Sequence, residues 1–345
     1  MKTNIIKIDN PIENTRKIEE AAALLRDNEV VAFPTETVYG LGANAKSDEA
    51  VKKIFEAKGR PSDNPLIVHI SNAGQLEELV EHVPDKARML MDAFWPGPLT
   101  LVFPKKEVLS KIATAGLDTV AIRMPDHPLA LALIEAADLP IAAPSANLSG
   151  KPSPTTAQHV DKDLNGRIRC IVDGGETGVG VESTVVDCTE EIPVILRPGG
   201  VTKEVIESII GPVGEDPALH NAADIPKSPG MKYTHYAPDA PFVLVDGDKE
   251  LIQQLVNEKR RNGLRAGVLT TEENKDFFAA DVVVVCGQRQ ELETVAANLY
   301  DALRAFDDEK VDCIYGEMFP TDGIGSAIMN RLLKASGHSV YRKDR

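Results

Sequence analysis

Lys58 and Arg60 stand two residues apart in the run Lys58-Gly59-Arg60-Pro61-Ser62-Asp63-Asn64-Pro65, which leads into the apolar Leu66-Ile67-Val68-His69-Ile70. In an extended or turn backbone, residues i and i+2 point the same way, so the two cations can converge on one anion. Arginine brings a planar fork and lysine a mobile point charge, a pairing suited to a polyphosphate. Pro61 and Pro65 lower the entropy lost in holding such a loop. A solvated basic turn is the alternative reading. Arg123 poses a sharper question, because it sits inside the apolar run Thr119-Val120-Ala121-Ile122-Arg123. An arginine there needs a partner, either a protein carboxylate or a ligand anion.

Small polar loops accompany these cations. Glu29-Val30-Val31-Ala32-Phe33 reads as a buried strand running into Pro34-Thr35-Glu36-Thr37-Val38-Tyr39-Gly40-Leu41-Gly42. Hydroxyls, a carboxylate and two glycines at a strand end suit a site loop, and equally a plain turn. Ala143-Pro144-Ser145-Ala146-Asn147-Leu148-Ser149-Gly150, followed by Ser153, offers small side chains and open backbone N–H groups, as anion nests do. Ser183 and Arg197 fall at the ends of further strands. The single tryptophan, Trp95, reads as a packing anchor rather than a stacking platform.

The elements that would position these residues follow from periodicity. Helices are expected over 12–27, 47–57, 72–82, 85–94, 128–137 and 202–210, with strands near 99–103, 119–123, 139–143, 170–173, 183–187 and 194–197. From Gly211 to Pro241 prolines multiply, which marks a linker. Its centre, Ser228-Pro229-Gly230-Met231-Lys232-Tyr233-Thr234-His235-Tyr236-Ala237-Pro238, is rich in aromatic and hydrogen-bonding groups and reads as an ordered strap. Beyond it, strands at 242–245, 266–270, 282–286 and 313–317 alternate with helices at 249–262, 273–279, 292–307 and 323–334. That pattern implies a small parallel α/β sheet. Asp246-Gly247-Asp248 is too short for a dinucleotide fingerprint. The expected organisation is a first α/β domain over 1–212, a linker over 213–241 and a second domain over 242–345.

The 345 residues carry a net charge of −15, and 43% are hydrophobic. The acidic balance holds in both halves, which argues against a general nucleic-acid binder and makes a local gathering of cations informative. No apolar run approaches membrane-spanning length and no signal-peptide pattern opens the chain, so a cytoplasmic location is expected. Cys170, Cys188, Cys286 and Cys313 have no paired spacing for zinc or redox work and read as reduced thiols.

The Pro34–Leu41 run, Lys58-x-Arg60-Pro61 with Asn64-Pro65-Leu66, and Ala143-Pro144-Ser145-Ala146-Asn147-x-Ser149-Gly150 resemble the YrdC-like domain. With Ser228-Pro229-Gly230-Met231-x-x-x-His235-Tyr236-x-Pro238 and the α/β tail, the whole chain resembles the long, two-domain threonylcarbamoyl-AMP synthase family. The resemblance implies an open, twisted, mostly β-sheet first domain with a concave pocket and a Rossmann-like second one. It implies condensation of L-threonine, bicarbonate or CO2, and ATP into threonylcarbamoyl-AMP and pyrophosphate. It further implies a downstream transferase complex that modifies tRNA beside the anticodon. Carried over residue by residue, threonine would be held by Thr37, His69, Arg123, the Ala143 backbone and Ser183. ATP would be held by Lys58, Arg60, Asn64, Thr119, Ser145, Asn147, Ser153, Arg197 and Tyr236. Lys58 and Arg60 would serve catalysis, with Mg2+ carried mainly by ATP. Tyr233, His235 and Tyr236 would close over the pocket as a lid. Hydrogenase-maturation carbamoyl transferases of the same sheet type carry zinc-type cysteine motifs that this chain lacks.

Overall fold

In the computed structural model, residues 2–219 and 235–343 are described, and they divide into two units. The first opens with β1 (Asn4–Lys7), α1 (Thr15–Arg26), β2 (Val31–Phe33) and β3 (Gly40–Asn44). It continues through α2 (Asp48–Lys58), β4 (Ile67–His69), α3 (Ala73–Leu79), α4 (Asp85–Phe94) and β5 (Leu99–Pro104). Then come β6 (Thr119–Arg123), α5 (Pro128–Ala137), β7 (Ile141–Ala142), α6 (Ala157–Leu164) and β8 (Cys170–Asp173). It closes with β9 (Thr184–Asp187), β10 (Val194–Arg197), α7 (Lys203–Ile210) and β11 (Gly214–Glu215).

These strands form one mixed sheet in the order β1-β8-β2-β3-β7-β4-β6-β5-β9-β10-β11. Side chains alternate across a strand, so one face of its middle can be core while the other does something else. Val68, Leu99, Leu101, Phe103, Val120, Ile122, Val186 and Ile195 all turn to the face packed by α2, α3, α4, α6 and α7. Towards the β1 end, α1 and α5 cover the opposite face, burying Ile18, Leu25, Leu129 and Leu133 against Phe33 and Val172. Between them the sheet keeps a third apolar cluster, Ile67, Val102, Ala121, Val185 and Leu196, built of strand residues alone.

Several elements of this unit were not expected from periodicity, β3 and α6 among them. Gly40-Leu41-Gly42-Ala43-Asn44 looks like a loop but pairs antiparallel with β2 and β7. Its Gly42 must lack a side chain, since a Cβ there would lie 2.7 Å from both Ile141 Cγ2 and Phe33 Cε1. Helix α6 was not expected either. Thr156 caps it by accepting a hydrogen bond from His159 N.

The second unit holds β12 (Phe242–Asp246), α8 (Lys249–Arg261), β13 (Ala266–Thr270), β14 (Val282–Val285), α9 (Leu292–Glu309), β15 (Cys313–Glu317), α10 (Ile324–Ala335) and β16 (Val340–Arg342). Its sheet is wholly parallel, in the order β14-β13-β15-β12-β16. The helix expected over 273–279 is only a single turn, Lys275–Phe277. Two short stretches from earlier in the chain, Gly150–Pro152 and Val179–Val181, also belong to this unit. Ala237 N donates to Gly150 O at 2.9 Å, and Arg304 Nη2 donates to Pro152 O at 2.5 Å. Gly180, at φ +77°, lies so close to α9 that a Cβ would meet Ala296 O at 2.4 Å.

Candidate active site

The face of the first sheet opposite its largest core carries the polar residues singled out above. Along β6, Val120 and Ile122 point to the core, so Thr119, Ala121 and Arg123 share the other side. His69 is the register partner of Arg123 on the adjacent β4. Thr100 of β5 and Ser183, just before β9, hydrogen-bond through their hydroxyls at 2.7 Å. The strand-only apolar cluster supplies the floor between them.

Arg123 is the hub. Its side chain is only 4% exposed and its Nε donates to Gly97 O at 3.2 Å. Nη1 donates to Thr37 Oγ1 at 2.9 Å, and Nη2 lies 2.6 Å from Glu36 Oε1. Of the two partners open to it, the protein carboxylate is therefore present, and Glu36 is the functional candidate the sequence reading passed over. Thr37 is itself held by Thr35, hydroxyl to hydroxyl, at 2.9 Å. Gly97 comes from the turn after α4, where Trp95 packs edge-on to Phe103 and donates Nε1 to Leu99 O at 2.7 Å. The tryptophan is an anchor, as expected. Burial, reinforced by the Arg123 charge, pushes the His69 imidazole down to about 3, so it is neutral at physiological pH.

Lys58 is not in an extended segment. It is the last residue of α2, and Gly59 caps that helix in the left-handed region at φ +61°. Arg60 N bonds back to Phe55 O and Gly59 N to Glu56 O, a Schellman closure. Strand alternation therefore does not set the relation between Lys58 and Arg60, which corrects the geometry inferred from their spacing. Lys58 is buried, and its ammonium donates to Ser145 O at 2.5 Å and Asn147 O at 2.6 Å. Ser149 N returns a bond to Lys58 O. Ser145 Oγ donates to Asn147 Oδ1 at 2.5 Å, and Ser145 bridges Gly40 across the sheet. The lysine thus joins the cationic loop to the Ser145–Asn147 turn, and the Gly40 bridge ties that turn to the strand following the loop of Glu36 and Thr37. Arg60 is half-buried with its guanidinium 5.9 Å above the Phe55 ring.

The remaining candidates are placed as follows. Arg197 clasps the Ser183 carbonyl through Nε at 3.1 Å and Nη2 at 2.9 Å. Ser153 Oγ donates to the buried Glu182 at 2.6 Å, a second acid the sequence reading missed. Ala143 gives its N–H to Ile67 O, so its carbonyl is what it can offer a ligand. Asn64 is buried in the loop before β4, and Thr119 is half-buried at the start of β6. Tyr236 belongs to the second unit, where it is buried, lies 5.2 Å from the Tyr300 ring and carries Arg331 5.7 Å above its own. Residues 220–234, including Tyr233 and most of the strap motif, lie outside the described residues. Cys170, Cys188 and Cys286 are buried free thiols, each pushed up to about 12 by burial, and Cys313 is free and half-buried. No helix is long and apolar enough to cross a membrane among the described residues.

Residues 23–199 match the Sua5–YciO–YrdC family model, described as "Telomere recombination", and residues 201–337 match the model described as "Threonylcarbamoyl-AMP synthase, C-terminal domain". Fold and site together define a Sua5–YciO–YrdC type of α/β protein with a parallel-sheet extension. A threonylcarbamoyl-AMP synthase of Bacillus subtilis is 64% identical over 330 residues, 95% of either chain. One from Pyrococcus abyssi is 51% identical over 99% of each. The crystal structure of P. abyssi Sua5 complexed with L-threonine superposes with a TM-score of 0.94, covering 99% of this chain and 100% of that one. The chain belongs to the threonylcarbamoyl-AMP synthase family and is an enzyme of the nucleotidyl-transfer type.

Proposed function

We propose that this site condenses L-threonine, bicarbonate and ATP into threonylcarbamoyl-AMP and pyrophosphate, feeding a transferase that modifies tRNA beside the anticodon. The observation that carries the reading is Arg123, a buried guanidinium ringed by Thr37, His69 and Glu36 on the sheet face opposite the largest core. Such a group recognises a small carboxylate. The structure of the P. abyssi relative with L-threonine supports that choice of ligand. The amino acid's carboxylate binds Arg123, its hydroxyl and amine meet Ser183, neutral His69 and the Ala143 carbonyl, and ATP lies along Asn64, Thr119, Ser145, Asn147, Ser153 and Arg197.

Carboxylation of the threonine amine gives a carbamate, whose oxygen attacks the α-phosphorus and expels pyrophosphate. Little covalent chemistry falls to the protein, so positioning and charge stabilisation dominate. ATP enters as its Mg2+ complex, and Lys58 and Arg60 offset the charge growing on its phosphates. The deciding experiment measures pyrophosphate release from ATP with threonine and bicarbonate omitted in turn. Release must require both; release from ATP alone, or none with both present, ends the reading.

A further inference from the structure

Glu36 occupies Arg123 in an unfavourable way. Both of its carboxylate oxygens are buried, and neither has a well-aligned hydrogen bond among the described residues. It meets one guanidinium nitrogen, Nη2, whereas a carboxylate seated well on arginine takes two parallel N–H bonds. Its main chain is fixed, because Gly178 N donates to Glu36 O at 3.1 Å and Thr35 Oγ1 donates to Val38 O at 2.7 Å. What can change partners is therefore the side chain. His127, close enough for Glu36 to act on its charge, is half-buried, with Nδ1 buried and without a hydrogen-bond partner among the described residues.

We infer that Glu36 stands in for the substrate carboxylate on Arg123 in the resting enzyme and, once displaced, takes the proton of the substrate ammonium. This rests on the assignment of the amino-acid carboxylate to Arg123 made above. An incoming amino acid brings both what Glu36 leaves behind and what it lacks: a carboxylate for the guanidinium, and a cation for the displaced acid. One N–H bond of the ammonium then breaks and its proton goes to a Glu36 oxygen. The freed amine lone pair forms the N–C bond with bicarbonate, whose hydroxyl departs as water with a second amine proton. The products are N-carboxy-threonine, water and neutral Glu36. Burial holds the neighbouring His127 imidazole below the usual histidine range, against the opposing pull of Glu36 and Asp126.

The test compares threonine with (R)-3-hydroxybutyrate, which is threonine without its amine, by calorimetry without ATP. The wild type should bind 3-hydroxybutyrate poorly, because displacing Glu36 leaves that acid with no cation. Glu36→Gln should narrow the ratio of the two dissociation constants by about tenfold or more. The same variant should lower kcat for pyrophosphate release by about 100-fold, the usual scale of a lost proton-transfer group, with Glu36→Asp restoring part of it. A purely structural acid would weaken both ligands in parallel and leave the ratio unchanged, and that result, or a kcat near wild type, overturns the proposal. Should Glu36→Gln not fold, the wild type decides through proton uptake in buffers of different ionisation enthalpy. Near neutral pH, 3-hydroxybutyrate binding must then take up a proton that threonine binding does not, and equal uptake refutes the role. The charged and titratable groups next to Glu36 are Arg123 and His127, with His69 beside Arg123 and Asp126 beside His127; where Glu36→Gln does fold, it must also abolish that uptake difference. Failure of the wild type to bind threonine at all would instead remove the Arg123 assignment beneath it.

Discussion

Burial beside Arg123 makes His69 a neutral hydrogen-bonding group, and that has a consequence for stability. Its pKa is about 3 in the folded protein and near 6.5 in an unfolded chain, so between those values only the unfolded state binds the proton. Stability must therefore fall as pH drops below the ordinary histidine value, by about 1.4 kcal/mol per unit from this residue alone. Denaturant melts from pH 7 to 4 should show that slope, and His69→Gln should flatten it. Arg123→Lys keeps the charge but loses the fork, so the Thr37 and Gly97 contacts cannot both survive. We expect KM for threonine to rise by about 10- to 100-fold with KM for ATP little changed, measured by pyrophosphate release. Arg123 was legible in the sequence as a cation needing a partner, because nothing else explains arginine inside a strand. Its pairing with Glu36 was not: the carboxylate could be noticed as part of a polar loop, but only the fold brings residues 87 positions apart together.

Among the elements, α2 shows how a helix end can do the work ascribed to a loop. Its closure at Gly59 turns Lys58 into the last helical residue, where the ammonium also opposes the negative helix terminus. Two charge-assisted bonds to the Ser145–Asn147 turn follow. Lys58→Ala should therefore abolish pyrophosphate release and also cost about 2–3 kcal/mol of stability, read from the urea midpoint. Loss of activity with an unchanged midpoint would mean that the lysine serves the phosphates and does not hold the turn. Amphipathic helices such as α4 and α8 were readable because their apolar spacing survives translation into structure. β3 was not, since its two glycines serve close packing against Phe33 and Ile141 rather than a turn. In the second unit, Asp248 caps α8 by accepting from Leu251 N at 2.8 Å. A carboxylate thus occupies the helix entrance that a pyrophosphate would need, in keeping with the missing dinucleotide fingerprint.

At the scale of the first unit, strand alternation is what sorted chemistry from core: one sheet face is roofed by helices, and the other, beyond the part covered by α1 and α5, presents cations and hydroxyls over a small apolar floor. Alternation within each strand could be read beforehand; the order β4-β6-β5-β9-β10 that aligns those residues could not, because parallel neighbours are joined by long crossovers. The seat of Gly180 on α9 makes a separate prediction. Gly180→Ala places a methyl group against backbone in a left-handed conformation, and should cost about 1–3 kcal/mol. Gly59→Ala, equally left-handed but with open space around it, should cost only about 1 kcal/mol. Hydrogen exchange should place the Gly180 effect in α9.

The second unit is also not a separable tail. Two tripeptides that precede it in the sequence, one ending at Pro152 and one at Val181, are parts of its own packing. Scissors applied anywhere between Leu219 and His235 would yield a carboxyl-terminal fragment missing pieces of itself, with Arg304 and α9 stripped of the backbone they normally grip. Anyone wishing to express that half alone would have to graft those segments back on.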